Sequence, residues 1–550
     1  MAACAALLAL PAGAQAAKAT PGSGPVDPNA LSRPDRLDRK PLQHALTGAE
    51  ARAIADRVPR IAALRERYRA SYRTVFLKGQ TRWQVSYYLR QKGEPVKEIG
   101  QVLIDDGSGA VLEAWTGDQV AWTMARGYPG AFGRKVNSPW VWLGLTALFL
   151  VPFAARRPRM LHLDLAVFAA FGISLAYFND GQIDKSVPLV YPLLVYLLLR
   201  AAWIGLRTSE DEPRRRLPLI VPVSWLAIAL VFLIGFRIGL NVTNSNVIDV
   251  GYAGVIGADK IVKGQPIYGA FPADNPQGDT YGPVNYEAYI PFEQLLPWTG
   301  KWDDLKAARG AAITFDLICI ALLFYIGRRV RGPGIGIILA YLWAACPFSV
   351  YAMNTGANDS LVAVFALAAL AVSAAPARGA IAAAGGLTKF GSLALVPLLA
   401  FDSRRPRNIV AFGLAFVGAA VLLSLPIFIE HESLRTVYDK TIGYQASRES
   451  PFSIWGRYGW DSAQTLWQIL AVVGALVVAV MPRRRDLIGL AALMAAILIS
   501  LQLGVSHWFY LYIVWFTGLM FVALICRHQL AEPESQAKRE RSDRELTFAN

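Results

Sequence analysis

The 550-residue sequence has few of the residues and motifs that several classes of enzyme need. Only 4 cysteines and 5 histidines occur, and nowhere do they and the acids show the close spacing of metal ligands. The P-loop, GxSxG and HExxH motifs are also missing. The sequence therefore gives no support to ATP-driven transport or to serine or zinc hydrolysis, and it predicts no cofactor.

Apolar residues, in contrast, make up 54% of the chain. They recur in runs of about 20 residues, the length that crosses a bilayer as a helix. The net charge of +15 comes from short basic clusters between these runs, as positive-inside bias requires, so nucleic acid is not an expected partner. We expect a mainly α, polytopic protein of the plasma (inner) membrane with a small N-terminal α+β extramembrane domain.

The N-terminal part predicts export and a separate domain. Residues 1–16 are apolar and end like a secretory cleavage site, although the positive n-region is missing. Residues 17–45 have the Pro, Gly and Ser content of a linker. Over residues 46–130 the pattern predicts one amphipathic helix, opened by a Thr cap at 47 and reaching to residue 70, and then three antiparallel strands, the last two joined by the turn DDGSG.

This N-terminal domain resembles a PepSY-like domain in the order of its elements and in the stretch VLIDDGSGAVLEAWTG. The resemblance implies binding or inhibition rather than catalysis. We therefore expect an accessory or docking module that can bind a protein partner.

The apolar runs predict about 11–13 spans in all. Three accessory helices are expected within residues 139–206 and the remaining spans within residues 217–526, followed by a cytoplasmic tail at 527–550. Five arginine clusters are expected on the inner side, at 156–159, 214–216, 328–331, 404–407 and 483–485. The segment 378–403 has basic residues at both ends, so it predicts a re-entrant hairpin or two short helices broken near Gly385-Gly386 or Lys389.

Alternating the spans places the N-terminal domain and the loops 241–306 and 429–461 on the outside. Asp249 then lies just past the outer end of a span, where it is either a reactive carboxylate or an ordinary loop acid or helix cap. Tyr281 and Tyr286, in the aromatic stretch GDTYGPVNYEAYIPFEQLLP, could stack on sugar faces or simply anchor the loop at the bilayer surface.

Cations on the same side are candidate ligands for a lipid phosphate. Lys440, Arg448 and Arg457 lie in the loop 429–461, where salt bridges to Glu432, Asp439 or Glu449 are the alternative. His507 starts the last span and either donates to a phosphate or has a structural role. Arg237, inside the outer end of a span, is a second-tier candidate that can snorkel to the interface. Asn358 and Asp359, in another outer loop, are interpreted as caps of the next helix.

Residues 217–526 resemble the GT-C class of polytopic glycosyltransferases, and within it glycosyltransferase family 87 and its mannosyltransferase relatives. The matching stretches are VIDVGYAGVIGADKIVKGQPIYG, DTYGPVNYEAYIPFE, NTGANDSLVAVF and GGLTKFGSLALVPLL. Asp249 corresponds to the acid of the first outer loop in that class, and the accessory helices and N-terminal domain depart from the simplest family pattern.

The resemblance implies an inverting transferase that moves a sugar, a mannose-like hexose, from a polyprenyl-phosphate donor to a lipid-linked or cell-envelope glycan. Asp249 would act as general base, and the outer cations would hold the phosphate. Metal dependence stays open, because Asp249 and Asp259 do not define a divalent-metal site. A transporter or lipid-linked sugar flippase is the main alternative, and a scaffold whose N-terminal domain binds a partner is another.

Overall fold

The computed structural model describes residues 30–91, 96–127, 132–154, 158–207, 216–481 and 486–530. The predicted signal peptide, the first part of the linker up to residue 29 and the tail beyond residue 530 lie outside these residues, as do the arginine cluster 483–485 and parts of the clusters 156–159 and 214–216. The chain divides into two compact units, and the first ends at Arg126 while the second begins at Gly127.

The first unit is a five-stranded antiparallel sheet with helices, and its strands follow the chain order. Its main elements are β1 Leu31–Ser32, α1 Gly48–Asp56, α2 Pro59–Arg67, β2 Tyr72–Lys78, β3 Arg82–Leu89, β4 Lys97–Asp105, β5 Val111–Thr116 and α3 Asp118–Ala121. The three predicted strands are β3, β4 and β5, and the DDGSG turn joins the last two. Thr47 caps α1 in a capping box with Glu50, as the sequence predicts.

Two expectations about this unit are wrong. The single helix ending near residue 70 is two helices, because Pro59 lacks an N–H group and starts a new helix after the extended residue Val58. The strands β1 and β2 were not predicted. Val75 is the one buried residue of strand β2. A strand with a single buried position does not need alternating apolar and polar residues, which is the pattern that predicts a strand.

The first unit has its own hydrophobic core. Trp83, Val85 and Tyr87 lie on one face of β3, and they pack with alanines of α1 and with Ile61 of α2. The indole of Trp83 donates a hydrogen bond of 2.6 Å to Asp106, which also accepts from two backbone N–H groups before α1. Sheet and helices therefore share one buried surface, which an independently folding domain requires.

The second unit is almost entirely helical in its described residues. Its helices are α4 Pro139–Leu150, α5 Met160–Asn179, α6 Ile183–Leu206, α7 Val223–Thr243, α8 Asp249–Val262, α9 Pro283–Glu287, α10 Ile290–Leu295, α11 Lys306–Arg331, α12 Pro333–Ala345, α13 Pro347–Asn354, α14 Asp359–Ala371, α15 Ala375–Thr388, α16 Val396–Ala400, α17 Pro406–Leu423, α18 Leu425–Ile429, α19 Leu434–Tyr438, α20 Tyr444–Ser447, α21 Ile454–Tyr458, α22 Asp461–Val480, α23 Leu487–Leu503 and α24 Ile513–Ile525.

Six of these helices, among the described residues, are long and apolar enough to cross a membrane: α5, α6, α7, α11, α17 and α22. The bent pair α12 and α13 gives a seventh if it is counted as one span. Shorter apolar helices include α4, α14, α23 and α24. The protein is therefore a mainly α, polytopic membrane protein, and the count of 11–13 spans stays a prediction.

Two of the breaks between apolar helices in the described residues bear on the predicted spans. One lies at Lys389, where α15 ends and a 3-10 turn, Phe390–Leu395, leads into α16, so the predicted break in this segment is confirmed. The other, a bend of 57° between α12 and α13, was not predicted. Pro347 explains it, because proline cannot donate to the carbonyl of Trp343 one turn earlier.

The loop 241–306 is folded around α8. Two glycines on one face of this helix, Gly254 and Gly257, leave space that the rings of Tyr289 and Tyr286 fill, and a Cβ atom on either glycine would come within 2.6 Å and 2.1 Å of those rings. This packing attaches α9 and α10 to α8 and fixes the N-terminus of α8, which carries Asp249.

Candidate functional site

Asp249 is the first residue of α8, and the backbone around it is held from two sides. The N–H groups of Asn246 and Ile248 donate to the carbonyls of Asn354 and Thr355, over 3.2 Å and 3.0 Å, which attach this segment to the end of α13. The side chain of Asn275 donates to the carbonyl of Asp249 over 2.9 Å. The carboxylate therefore projects from a rigid position.

The Asp249 side chain is exposed to solvent. Desolvation by the surrounding protein is nevertheless the largest influence on its pKa, and it raises that pKa above the ordinary value. The side chain is therefore accessible while protein atoms displace much of the water around it. The N–H of Val250 and the charges of Arg448 and Lys389 lower this pKa, and the negative charge of Asp359 raises it further. Two cations and a second carboxylate thus lie close enough to influence Asp249.

Lys389 and Asp359 form a buried ion pair beside Asp249. The ammonium of Lys389 donates to Oδ1 of Asp359 over 2.7 Å, and the indole N–H of Trp515 donates to the same oxygen over 2.7 Å. The Asp359 residue is fully buried and Lys389 is 9% exposed. Because the helix break leaves Lys389 in an extended conformation between α15 and the 3-10 turn, its side chain leaves the helix at that point.

Three aromatic rings surround the Lys389 ammonium. The distances from Nζ to the ring centroids are 5.3 Å for Tyr281, 5.6 Å for Tyr512 and 5.4 Å for Trp515. These distances are within the range of cation–π attraction. Tyr281 comes from the loop before α9, and the other two rings come from the last span. Together with the segment that carries Lys389, three separate parts of the chain meet at this cation.

Gly282 sets the position of Tyr281. A Cβ atom on Gly282 would lie 2.0 Å from the carbonyl oxygen of Leu387, and the Gly282 N–H donates to the carbonyl of Thr388 over 3.3 Å. The loop can therefore lie against the end of α15 only with glycine at this position. Pro283 then occupies the first turn of α9, which explains the sequence TYGP.

Arg448 and His507 complete the charged surroundings of Asp249. The positive charge of Arg448 influences both Asp249 and His507. Burial and Arg448 together hold the pKa of His507 well below the ordinary value, so the imidazole is neutral at physiological pH. A hydrogen bond of 2.9 Å between its Nδ1 and the Ser450 hydroxyl, and the ring of Phe452 at 5.4 Å, fix its orientation. A neutral histidine can still donate one hydrogen bond to a phosphate.

Three predicted cations are paired with acids instead. Lys440 lies 3.3 Å from Asp279, and Arg457 forms an ion pair with Asp184 at the start of α6. Arg237 is completely buried and contacts Asp316 at 2.6 Å, so it does not snorkel to the interface. The acids expected as their partners have other roles: Glu432 accepts from two backbone N–H groups, and Asp439 pairs with Arg435.

Tyr286 packs inside the loop 241–306. Its ring is fully buried against Gly257, and its hydroxyl donates to the carbonyl of Gly278 over 2.8 Å. Tyr281 is the half-buried tyrosine that reaches the charged cluster. The two predicted stacking residues thus divide into one that organises the loop and one that lines the site.

Asn358 and Asp359 are not the caps that the sequence indicates. Neither side chain caps α14, and the Asn358 amide instead donates to the side chain of Asn285 while Asp359 pairs with Lys389. Sequence reasoning named Lys389 only as a helix break and Asp359 only as a cap, and it placed neither of them in the candidate site. Their signal was available, because charged residues within apolar helices are costly and mark pairs or functional sites.

Metal ligation finds no support in the described ranges. Within them no group of three His, Cys, Asp or Glu side chains lies close enough to hold an ion. Asp259, the second acid weighed for a metal, pairs with Lys263 at 2.7 Å.

Comparisons with family models, with curated proteins and with solved structures find no match to this chain.

Proposed function

We propose that this protein is an integral membrane glycosyltransferase that transfers a sugar from a polyprenyl-phosphate donor to a lipid-linked or cell-envelope glycan. The observation that carries the proposal is Asp249, an accessible but desolvated carboxylate flanked by Arg448 and Lys389. A general base must reach a substrate proton and must have a raised pKa, and a departing phosphate needs nearby cations. All three requirements are met at one place.

The reaction balances with these residues. Asp249 accepts the proton of the acceptor hydroxyl as that oxygen bonds to the anomeric carbon from the face opposite the phosphate. The bond between the anomeric carbon and the phosphate oxygen breaks, and its electron pair stays on the phosphate. One negative charge thus moves from Asp249 to the leaving group, which Arg448 can stabilise and to which neutral His507 can donate. The product has the inverted anomeric configuration.

The membrane-spanning helices and the aromatic rings support the class of substrate. A polyprenyl chain dissolves in the bilayer, so a protein that uses such a donor needs no nucleotide-binding fold. Tyr281, half-buried beside the charged cluster, offers a ring on which a sugar face can stack. A mannose-like hexose and an extracytoplasmic active site follow from the resemblance and from the charge pattern of the loops.

The direct test is transfer from a panel of radiolabelled polyprenyl-phosphate sugars by the full-length protein in nanodiscs, with total membrane lipid as acceptor. We expect label in a new glycolipid from one donor, and none from protein-free nanodiscs. Absence of transfer from every donor by folded protein, assayed with and without a divalent cation, would contradict the proposal.

A transporter or lipid-linked sugar flippase is the second candidate, supported by two observations. Transporters use broken helices and buried charges. Here the apolar segments are broken at Pro347 and at Lys389, and the pairs Arg237–Asp316 and Lys389–Asp359 are buried. Movement of a polyprenyl-phosphate sugar across proteoliposomes, without formation of a new glycosidic bond, would favour this candidate over the transferase.

A further inference from the structure

We propose that Lys389 binds the phosphate of the polyprenyl donor and of the polyprenyl-phosphate product, with Asp359 and Trp515 holding its ammonium in place. This inference rests on the proposed function only for the identity of the lipid phosphate. It replaces Lys440 and Arg457, the loop cations that the sequence pointed to, with a cation inside the helical unit.

The position of Lys389 is the first argument. Its charge acts on Asp249, whereas Lys440 and Arg457 are paired with Asp279 and Asp184. The general base and the leaving phosphate lie on opposite faces of the reacting sugar, so a phosphate-binding cation must be near the base without contacting it. Lys389 satisfies this condition, because its contact is with Asp359 and its influence on Asp249 is electrostatic.

The unused capacity of the pair is the second argument. An ammonium has three N–H donors, and one of them is directed to Asp359 Oδ1 at 2.7 Å. Trp515 donates to that same oxygen, while the other carboxylate oxygen of Asp359 is buried without a hydrogen-bond partner. Here the carboxylate orients the ammonium from one side and leaves its further donors for an acceptor.

The aromatic rings give the third argument. Lys389 is only 9% exposed, and the negative faces of Tyr281, Tyr512 and Trp515 attract its ammonium. A cation in such surroundings interacts more strongly with an entering phosphate than a hydrated surface lysine would. The rings also keep the side chain in one place, so little conformational entropy is lost on binding.

The first test is binding of polyprenyl phosphate and of the uncharged polyprenol to the full-length protein in nanodiscs. We expect the wild type to prefer the phosphate, and Lys389→Met to lose at least about tenfold of that preference, as for the loss of a charge-assisted hydrogen bond. Lys389→Arg should retain most of it. Phosphatidic acid, offered in a third arm, reports whether the site accepts any lipid phosphate.

Removing Lys389 alone leaves Asp359 buried without its cation and can unfold the protein. The double variant Lys389→Met with Asp359→Asn removes both charges and should also lose the preference for phosphate. Lys260→Met is the matched control. Lys260 is also 9% exposed, but its ammonium donates to the carbonyl of Pro266 instead of to Asp359. It should keep the preference.

The second test is the pH dependence of transfer. The groups that influence Asp249 are Arg448, Lys389 and Asp359, and the phenols of Tyr281 and Tyr512 also interact with it. Removing a positive charge makes ionisation of Asp249 harder, so Lys389→Met should move the acid limb of kcat/KM to higher pH. Asp359→Asn should move it to lower pH. Shifts of opposite sign are not expected from a general loss of stability.

These outcomes separate this inference from the proposed function. If the wild type transfers sugar but Lys389→Met and the double variant both keep the full preference for phosphate, the proposed role of Lys389 is wrong and the transferase proposal stands. A wild type that prefers the phosphate through Lys389 but transfers no sugar retains the binding site and contradicts the transferase. Equal binding of phosphate and polyprenol by the wild type overturns the inference.

Discussion

Gly282 shows how one residue without a side chain shapes the site. Its backbone lies so close to Leu387 that an added Cβ would be 2.0 Å from the carbonyl oxygen, and backbone cannot yield as a flexible side chain can. We expect Gly282→Ala to move Tyr281 away from Lys389 and to reduce sugar transfer by at least about tenfold, as for a misplaced site residue. Transfer rates in nanodiscs measure this.

The matched control for this substitution is Gly235→Ala in α7. An added Cβ there meets no atom within 4 Å, so activity should match the wild type and thermal stability should be equal or higher. Equal activity of Gly282→Ala and Gly235→Ala would mean that Tyr281 contributes nothing to the reaction.

Glu287, at the end of α9, makes the stability of the loop sensitive to pH. Burial raises the pKa of Glu287 to about 7 from the ordinary value of 4.5. The folded protein therefore keeps a proton that the unfolded chain releases, so stability is highest below the unfolded pKa and decreases as pH rises through this window. We expect the Tm of the wild type to fall between about pH 5 and about pH 8, and Glu287→Gln to fall less.

Thermal unfolding followed by intrinsic fluorescence at both pH values measures the effect of Glu287. Glu449→Gln, at an exposed position, should keep the wild-type pH dependence. If Glu287→Gln and the wild type show the same slope, the carboxyl is ionised in the folded protein and the burial argument fails.

At the scale of elements, a buried ion pair stabilises the bend between α12 and α13. Pro347 leaves the carbonyl of Trp343 without its usual helical donor, and Arg237 and Ser349 donate to it over 3.3 Å and 2.6 Å. Arg237 in turn pairs with Asp316 of α11. Three helices are thus joined where one of them is broken.

We expect Arg237→Met to destabilise the protein by about 3–5 kcal/mol, because it leaves the Asp316 carboxylate buried without its cation, with the indole N–H of Trp343 as its remaining hydrogen-bond donor. The double variant Arg237→Met with Asp316→Leu should recover much of that loss. Denaturant unfolding in detergent compares the two variants. A double variant less stable than Arg237→Met would show that the pair itself, rather than the unpaired acid, determines stability.

The elements also show what the sequence could predict. The break at Lys389 was predictable because a Gly-rich segment with basic residues at both ends cannot be one ordinary span. The bend at Pro347 was not singled out, since both halves are apolar and read as one run of about 20 residues. Strand β2 was missed for a related reason, because only Val75 of its residues is fully buried and periodicity needs several buried positions.

At the scale of the whole molecule, the first unit has a core of its own. We expect a fragment of residues 30–126 to fold and to unfold cooperatively, as followed by circular dichroism. Trp83→Ala should cost about 3–5 kcal/mol, since it empties the centre of this core. Leu112→Ala, at a position that is 50% exposed, should change little. A fragment with the spectrum of a random coil would contradict an independent core.

The site draws on segments that are far apart in sequence, which limits what one sequence can reveal. Asp249, Tyr281, Lys389 and Arg448 come from different loops and helix ends, and only packing brings them together. Sequence reasoning named Asp249, Tyr281, Arg448 and His507 as candidates from their positions in the outer loops. It could not separate Arg448 from Lys440 and Arg457, because the acids that pair with the latter two lie more than 100 residues away.

The most direct test of the account is the rate of sugar transfer by Asp249→Asn beside the wild type, with donor binding measured on the same nanodiscs. We predict that the variant binds the donor but loses transfer by at least about 100-fold, as expected for loss of a general base. Asp259→Asn, an acid of the same helix paired with Lys263, should remain active. Wild-type transfer by Asp249→Asn would contradict the central claim.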